Sequence, residues 1–163
     1  MKIASFSKLS EEFVVQFDFF ANNLGTNKQN MIHMTDDLQD VKNGLGIPAV
    51  WLIGGDLDVC MSFNNTSNVC KKIGIEIQKW HTLKISQRKN GTGYFTFDIT
   101  LDNVLKRSIP NEKPQVFENV KLFTSNDIDE AFDGNLKNIR VYPTGNNFHI
   151  RLLFLSYNKI III

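Results

Sequence analysis

Hydrophobic and polar residues alternate with a period of two along most of this chain. Phe13, Val15, Phe17 and Phe19 fall on one face of a predicted strand, and the residues between them fall on the other. Turn-forming residues separate such stretches at short intervals, which is typical of a β-sandwich or barrel and not of helices. The main predicted strands cover residues 13–20, 31–34, 47–53, 57–63, 80–87, 94–101, 104–109, 117–124 and 136–142.

Glycine and asparagine mark the corners between these strands. Gly54-Gly55-Asp56 predicts the turn of one hairpin, and Asn90-Gly91 supplies the positive φ angles that a second hairpin needs. Asp102-Asn103 turns the chain again, so residues 80–109 are expected to form a three-stranded meander. The polar segment 125–134 ends in Asp-Gly and is predicted to be a surface loop.

The composition agrees with one folded, soluble domain. The 163 residues are 42% hydrophobic and 21% charged, which excludes a disordered tail and allows one ordinary core. Alanine, the best helix former, occurs only four times, so an all-α fold is not expected. The net charge of +1 gives no reason to expect nucleic acid as a partner.

The two ends of the chain are predicted to differ from the rest. Residues 1–13 lack the apolar run of a signal peptide, so the protein is either cytosolic or processed. The final hydrophobic stretch is interrupted by charges and is too short for a membrane span. We therefore divide the chain into a β-sandwich over residues 1–143 and a segment 144–163, which is an extra edge strand, a docked or swapped arm, or an apolar tail.

Two cysteines and three glycosylation sequons favour an extracellular or cell-surface protein. Cys60 and Cys70 flank an asparagine-rich turn between two predicted strands, so a hairpin would bring their sulfurs together for a disulfide. Two buried free thiols are the alternative. The sequons begin at Asn64, Asn65 and Asn90, all in predicted turns, where a glycan can be attached.

The order of the strands and several short motifs resemble one superfamily of β-sandwiches. The motifs are Ile47-Pro-Ala-Val-Trp51 before Gly54-Gly55, the strand from Trp80 to Ile85, and Gly134-Asn-Leu136-Lys-Asn-Ile139. In this pattern the chain resembles concanavalin A-like lectin and laminin G-like jelly-roll domains. Residues 3–143 are also similar to secreted domains of simple animals that carry a cysteine pair at a comparable position. The resemblance implies an all-β, antiparallel β-sandwich of the jelly-roll type.

The same resemblance implies a function without catalysis. Binding domains of this superfamily use rim loops or a sheet face, so we expect an extracellular module that recognises a glycan or an extracellular protein. The superfamily's glucanases carry their carboxylates on one strand, spaced Glu-x-Asp-x-Glu or Glu-x-Asp-x-x-Glu. Asp127-Ile-Asp-Glu130 lies in a predicted loop, begins with Asp and has Glu130 directly beside Asp129. We therefore expect no enzyme activity.

An assembly role is the alternative function. Residues 144–163 lie outside the family pattern and are strongly apolar. They could add a strand to the sheet of a neighbouring subunit and so form a homo- or hetero-oligomer.

Calcium is the cofactor that the resemblance implies. Many of these domains bind Ca²⁺ through carboxylates in loops at one rim of the sandwich, and calcium takes about six to eight oxygen ligands. Two acidic clusters could contribute ligands, and ordinary solvated loops are the alternative for each. The candidate ligands are Asp36, Asp37 and Asp40 in the first cluster, and Asp127, Asp129 and Asp133 in the second.

The histidines and tryptophans are predicted to be structural. His33, His81 and His149 show no metal-ligand spacing, so no zinc site is expected. Trp80 beside His81 could form a platform for a sugar, but a tryptophan at the start of a strand is more often core in this superfamily. Trp51 is predicted to be core as well.

Overall fold

The computed structural model describes residues 1–36, 46–63, 66–124, 129–143, 150–156 and 159–161. This part of the chain consists of strands and turns, without a helix, as the period-two pattern predicts. It follows that no helix within these residues is long and apolar enough to cross a membrane. The strands are β1 (Lys2–Leu9), β2 (Phe13–Ala21), β3 (Gln29–Thr35), β4 (Ala49–Ile53), β5 (Asp56–Phe63), β6 (Thr66–Gly74), β7 (Trp80–Lys89), β8 (Phe95–Leu101), β9 (Val104–Asn111), β10 (Phe117–Phe123), β11 (Glu130–Ala131), β12 (Gly134–Pro143), β13 (Ile150–Ser156) and β14 (Lys159–Ile161).

These strands form two sheets that pack face to face. Sheet A has the order β1-β10-β3-β4-β5-β6, and β11 pairs with β3 in parallel. Sheet B has the order β14-β13-β12-β2-β7-β8-β9, with antiparallel neighbours throughout. The predicted hairpins and the β7-β8-β9 meander are present. The prediction of an all-β, antiparallel jelly-roll sandwich is thereby confirmed. In the β7–β8 turn, however, the positive φ belongs to Gly93, at 89°, and not to Asn90 or Gly91, so that part of the turn prediction is wrong.

The core lies between the two sheets and follows the alternation of the sequence. Phe13, Phe17 and Phe19 of β2 are fully buried against inward residues of sheet A. On β8, which is separated from β2 by β7 in the same sheet, Phe97 and Ile99 are likewise buried. Alternate residues of each strand must then point away from the core, so the outer faces of the sheets carry the side chains available to a ligand.

The strands β1 and β11 lie outside the predicted strands. Edge strand β1 is rich in lysine and serine and mostly exposed, so it lacks the hydrophobic pattern of a central strand. Segment 125–134, predicted to be a surface loop, contains β11 and Phe132, which is only 7% exposed. The loop prediction is therefore wrong for residues 130–132, because a strand of two residues is too short to show a period of two.

The last strands extend sheet B by backbone pairing. β13 pairs with β12, and β14 pairs with β13. The domain division at residue 143 stays a prediction, since residues 144–149 lie outside the described part of the chain. Five predicted site residues also lie outside it: Asp37, Asp40, Asn64, Asn65 and Asp127.

Candidate functional site

An exposed tryptophan marks the outer face of sheet B. In the register of β2 and β7, Trp80 pairs with Phe20, and both residues point away from the core. Their rings lie 5.7 Å apart at 52°. Trp80 is 40% exposed, so the prediction that it is core is wrong. Strand β7 begins at Trp80, and the Trp80 side chain occupies an outward-facing position of the sheet, with Phe20 beside it.

A row of polar side chains lies next to these rings. Asp18 of β2 is opposite Thr82 of β7, one outward position beyond the Phe20–Trp80 pair. The Thr82 hydroxyl donates to Asp18 Oδ1 at 2.8 Å, and Asn138 Nδ2 of β12 donates to Asp18 Oδ2 at 2.6 Å. A β-bulge in β12 gives Asn138 a φ of 53° at that point. The three strands therefore present hydrogen-bonding groups in fixed positions beside the indole.

Two basic residues of β12 complete this region. Lys137 is opposite Asp18 in the register, and its ammonium lies over the Trp80 ring, 3.7 Å from the centroid. Arg140 is opposite Gln16, one outward position further along β2. Its Nε is buried, without a hydrogen-bond partner within the described residues. The region formed by Phe20, Trp80, Asp18, Thr82, Lys137, Asn138 and Arg140 is called the Trp80 face below.

The far end of sheet B carries a separate polar group. Asp98 of β8 accepts a hydrogen bond from the Ser108 hydroxyl at 2.6 Å and one from Arg88 Nε at 3.1 Å. Arg88 Nη2 lies 3.0 Å from the same carboxylate. Because these bonds link β7, β8 and β9 to one another, the group holds the meander together.

His81 does not share the exposure of its neighbour Trp80. It points inward and stacks on Phe19, with ring centroids 5.3 Å apart. Its Nδ1 lies 2.7 Å from Asp102 Oδ2, and its Nε2 lies 2.8 Å from the carbonyl oxygen of Glu76. Burial raises the pKa of Asp102, but the hydrogen bonds from His81 and from the Thr82 backbone outweigh it, so this pKa is lowered. His81 is thus a structural residue, as its lack of metal spacing predicts.

The other tryptophan is covered, on the outer face of sheet A. Trp51 is 2% exposed, and its Nε1 donates to Asp129 Oδ2 at 2.8 Å. Lys28 places its ammonium 4.0 Å from the indole centroid and 4.0 Å from Asp129 Oδ1. His33 packs edge-on to the ring from β3. Trp51 is buried as predicted, but beneath residues of distant segments and not between the two sheets.

Of the described calcium candidates, Asp129 and Asp133 are already engaged by protein donors. Asp129 bonds to Trp51 and faces the Lys28 ammonium. Asp133 accepts hydrogen bonds from the side chains of Asn22, at 2.8 Å, and Asn23. Asp36 is half-buried just beyond β3. A nearby ammonium competes with a cation, so Asp129 fits a calcium site poorly; the calcium prediction as a whole stays a prediction.

The cysteines form the expected disulfide between paired strands. Cys60 of β5 and Cys70 of β6 are direct partners in the register, with Cα atoms 4.0 Å apart. Asp58 brings a carboxylate oxygen within 4.8 Å of both sulfurs, but sulfurs joined to each other are not thiolate ligands for a metal. Asn90 is exposed in the β7–β8 turn, and glycosylation there stays a prediction.

Sequence reasoning missed most of the Trp80 face. Alternation along residues 13–20 does place Asp18 and Phe20 on the outer face of a strand. It cannot show that β12, more than 110 residues later, pairs with β2 and brings Lys137 and Asn138 alongside. The site therefore depends on a pairing that no local pattern reveals.

Known structures share this architecture at low sequence identity. No protein-family model and no curated protein sequence matches the chain. It is similar to a native heptameric SAP-like pentraxin from Limulus polyphemus, with a TM-score of 0.61 and 13% identity, covering 86% of this chain and 67% of that one. The botulinum neurotoxin serotype G binding domain gives a TM-score of 0.58 and 15% identity, covering 83% of this chain but only 34% of that one.

A smaller protein matches along nearly its whole length. Sheep galectin-11, in complex with glycerol, gives a TM-score of 0.54 and 12% identity, covering 85% of this chain and 95% of that one. At these identities the likeness concerns the arrangement of strands and not the site residues. The chain has the concanavalin A-like jelly-roll fold of lectin-type domains.

Proposed function

We propose that this protein is a non-catalytic recognition module that binds carbohydrate on the Trp80 face. The observation that carries the proposal is the exposure of Trp80 on a sheet face whose other central positions are mainly polar. The exposed part of the Trp80 indole leaves apolar area in contact with water, and the packing of the core does not require this ring to lie on the outer face. A ligand that covers the ring would remove that area from water.

Sugars match both parts of this surface. Their C–H groups pack on the electron-rich face of an aromatic ring, and their hydroxyls bond to polar side chains held in place by the protein. Trp80 offers the ring, and Asp18 has acceptor capacity beyond the bonds from Thr82 and Asn138. Because all of these residues lie on paired strands, their backbone positions are fixed before a ligand binds.

The similar structures support a binding role for this kind of fold. One is named as a toxin binding domain, and the galectin structure holds glycerol. Those ligands belong to those proteins, and the position of Trp80 is the reason to propose a sugar here. The proposed location is extracellular or at the cell surface, which the Cys60–Cys70 disulfide supports.

A glycan array compared across three proteins tests the proposal. The wild-type chain is expected to bind a defined subset of glycans, and Trp80→Ala is expected to lose that signal while keeping its fold. The matched control is Tyr94→Ala, which removes an aromatic side chain that is 71% exposed near the other end of β7. Equal binding by Trp80→Ala and the wild type would reject the Trp80 face as the site.

The same glycan array, run in the presence of a chelator, tests the prediction that calcium assists binding. Loss of binding in chelator, with recovery on added Ca²⁺, would support a metal requirement. Unchanged binding would remove calcium from the proposal and leave the sugar site in place.

A further inference from the structure

We infer that the saccharide recognised by the Trp80 face carries an anionic group, a carboxylate or a sulfate, which pairs with Lys137. This inference rests on the proposed function, because it concerns the same surface. It adds the chemical class of ligand, and the observations behind it are the position of one ammonium group and the distribution of charge around it.

The ammonium of Lys137 covers the ring that a sugar would need. It reaches from β12 across β2 to β7 and lies 3.7 Å from the centroid of Trp80. Among the described residues, Lys137 forms no ion pair with a carboxylate. The indole is therefore the only charge-compensating contact shown for this ammonium, and an exposed contact of that kind is weak.

The acidic residues of the face form no ion pair with Lys137. Asp18 is opposite Lys137 in the register, yet both of its oxygens accept hydrogen bonds from the neutral side chains of Thr82 and Asn138. Asp98, further along the sheet, is bound by Arg88 and Ser108. Neither carboxylate lies within ion-pair distance of the Lys137 ammonium.

The outer face of sheet B is consequently basic. The outward positions of β2, β7, β8 and β12 hold four cationic side chains, which are Lys84, Arg88, Lys137 and Arg140, against the two carboxylates. In the described part of the chain, only Arg88 of these four has a carboxylate partner. Lys84 and Arg140 flank Gln16 from either side, so they lie in the row beyond Lys137 and Asp18.

This charge arrangement separates acidic from neutral sugars. A sugar that stacks on the indole face beneath the Lys137 ammonium displaces that ammonium from the ring. A neutral sugar leaves the ammonium with water alone, whereas an anionic one accepts a charge-assisted hydrogen bond from it. The exchange of a weak cation–π contact for an ion pair at a surface predicts a preference of ~5-fold or more for the acidic form at low salt.

Titration of matched saccharide pairs tests the inference. Short galactose oligomers are compared with galacturonic acid oligomers and with sulfated galactose oligomers of equal length, so that the carboxylate and sulfate arms are separate. The proteins are the wild type, Lys137→Met, Trp80→Ala and the control Lys8→Met, which removes an exposed lysine of β1 on the other sheet. Methionine keeps most of the apolar length of lysine and removes its charge.

The expected result is a preference for one or both acidic forms that weakens with added salt. Lys137→Met is expected to reduce acidic binding to the level of the neutral oligomer, with neutral binding unchanged or stronger, and Lys8→Met is expected to behave as the wild type. Equal binding of acidic and neutral forms, lost in Trp80→Ala, would overturn the acidic preference and keep the sugar site. An acidic preference that survives in Lys137→Met would also overturn it, while absence of all saccharide binding would overturn both proposals.

Discussion

At the scale of single residues, Asp102 links one turn of sheet B to the core. It lies in the β8–β9 turn with a φ of 51°, and its carboxylate meets His81 from the side opposite Glu76. The Thr82 backbone N–H also donates to it, at 2.9 Å. These bonds stabilise the charged form, so the pKa of Asp102 is lowered below its ordinary value of 3.8 despite its partial burial.

The lowered pKa gives the protein a stability that depends on pH. Because the unfolded chain binds this proton more readily, the contribution is fully present above the ordinary aspartate pKa and is lost as the pH falls through the lower folded value. Asp102→Asn removes the charge but keeps an acceptor and tolerates a positive φ. We expect the difference in unfolding free energy between wild type and variant to shrink from about pH 6 to about pH 2.5 in urea titrations.

Glu112→Gln serves as the control for this series, since Glu112 is exposed. Its stability curve should run parallel to that of the wild type. A constant difference between wild type and Asp102→Asn at every pH would contradict the assignment.

The two tryptophans differ in what covers them. Trp51→Phe removes the N–H that bonds to Asp129, whose side chain is only 15% exposed, so the carboxylate loses a partner in a partly dry position. We expect a loss of about 1–3 kcal/mol in urea unfolding. Trp80→Phe, at an exposed position, should change stability by no more than about 0.5 kcal/mol. Equal losses in the two variants would show that the Trp51–Asp129 bond contributes nothing.

This contrast also marks the limit of prediction for single residues. Both tryptophans occupy outward positions of central strands, and both are expected to be core from sequence. Trp51 is covered because Lys28 and Asp129, from two distant segments, meet over it. No local pattern encodes that meeting, so burial of Trp51 and exposure of Trp80 could not be separated in advance.

At the scale of elements, Gly134 controls how β12 joins β2. A Cβ at this position would clash with the carbonyl oxygen of Phe20 and would lie 2.5 Å from the ring of Phe132. The carbonyl belongs to a paired strand and cannot move freely. We therefore expect Gly134→Ala to cost at least about 1–3 kcal/mol in thermal or urea unfolding.

Gly91→Ala is the matched control for this substitution, because a Cβ at Gly91 meets nothing within 4 Å. It should leave the stability nearly unchanged. A Gly134→Ala protein as stable as the control would mean that β2 and β12 do not approach as closely as the structure has them.

Elements with several alternating residues are predicted well, and short ones are not. β2 and β8 each bury residues at alternate positions, which fixes their faces from sequence. β11 has two residues, and it is identified only by its parallel pairing with β3. Phe132, the residue after β11, is buried because of the path of the chain and not because of a repeating hydrophobic pattern.

At the scale of the whole molecule, the net charge does not show that basic side chains are concentrated on one face. The chain carries 18 basic and 17 acidic residues, and from that sum alone no anionic partner is expected. The strand register nevertheless collects Lys84, Arg88, Lys137 and Arg140 on one outer face. Charge on a face depends on topology, which is why composition predicts the class of fold here but not the class of ligand.

The C-terminal strands raise the question of assembly, which the size of the molecule in solution can answer. β12 is paired by β2 on one side and by β13 on the other. A chain ending at Pro143 would leave the β13 side of a ten-residue strand without hydrogen-bond partners, and such edges recruit other chains. We expect sedimentation velocity to show constant size for the 163-residue chain and, for the shortened chain, a size that grows with concentration. The reverse result, with oligomers of the 163-residue chain and a monomeric shortened chain, would show that residues 144–163 add their strand to a neighbouring subunit. Removing these residues would then remove the contact itself.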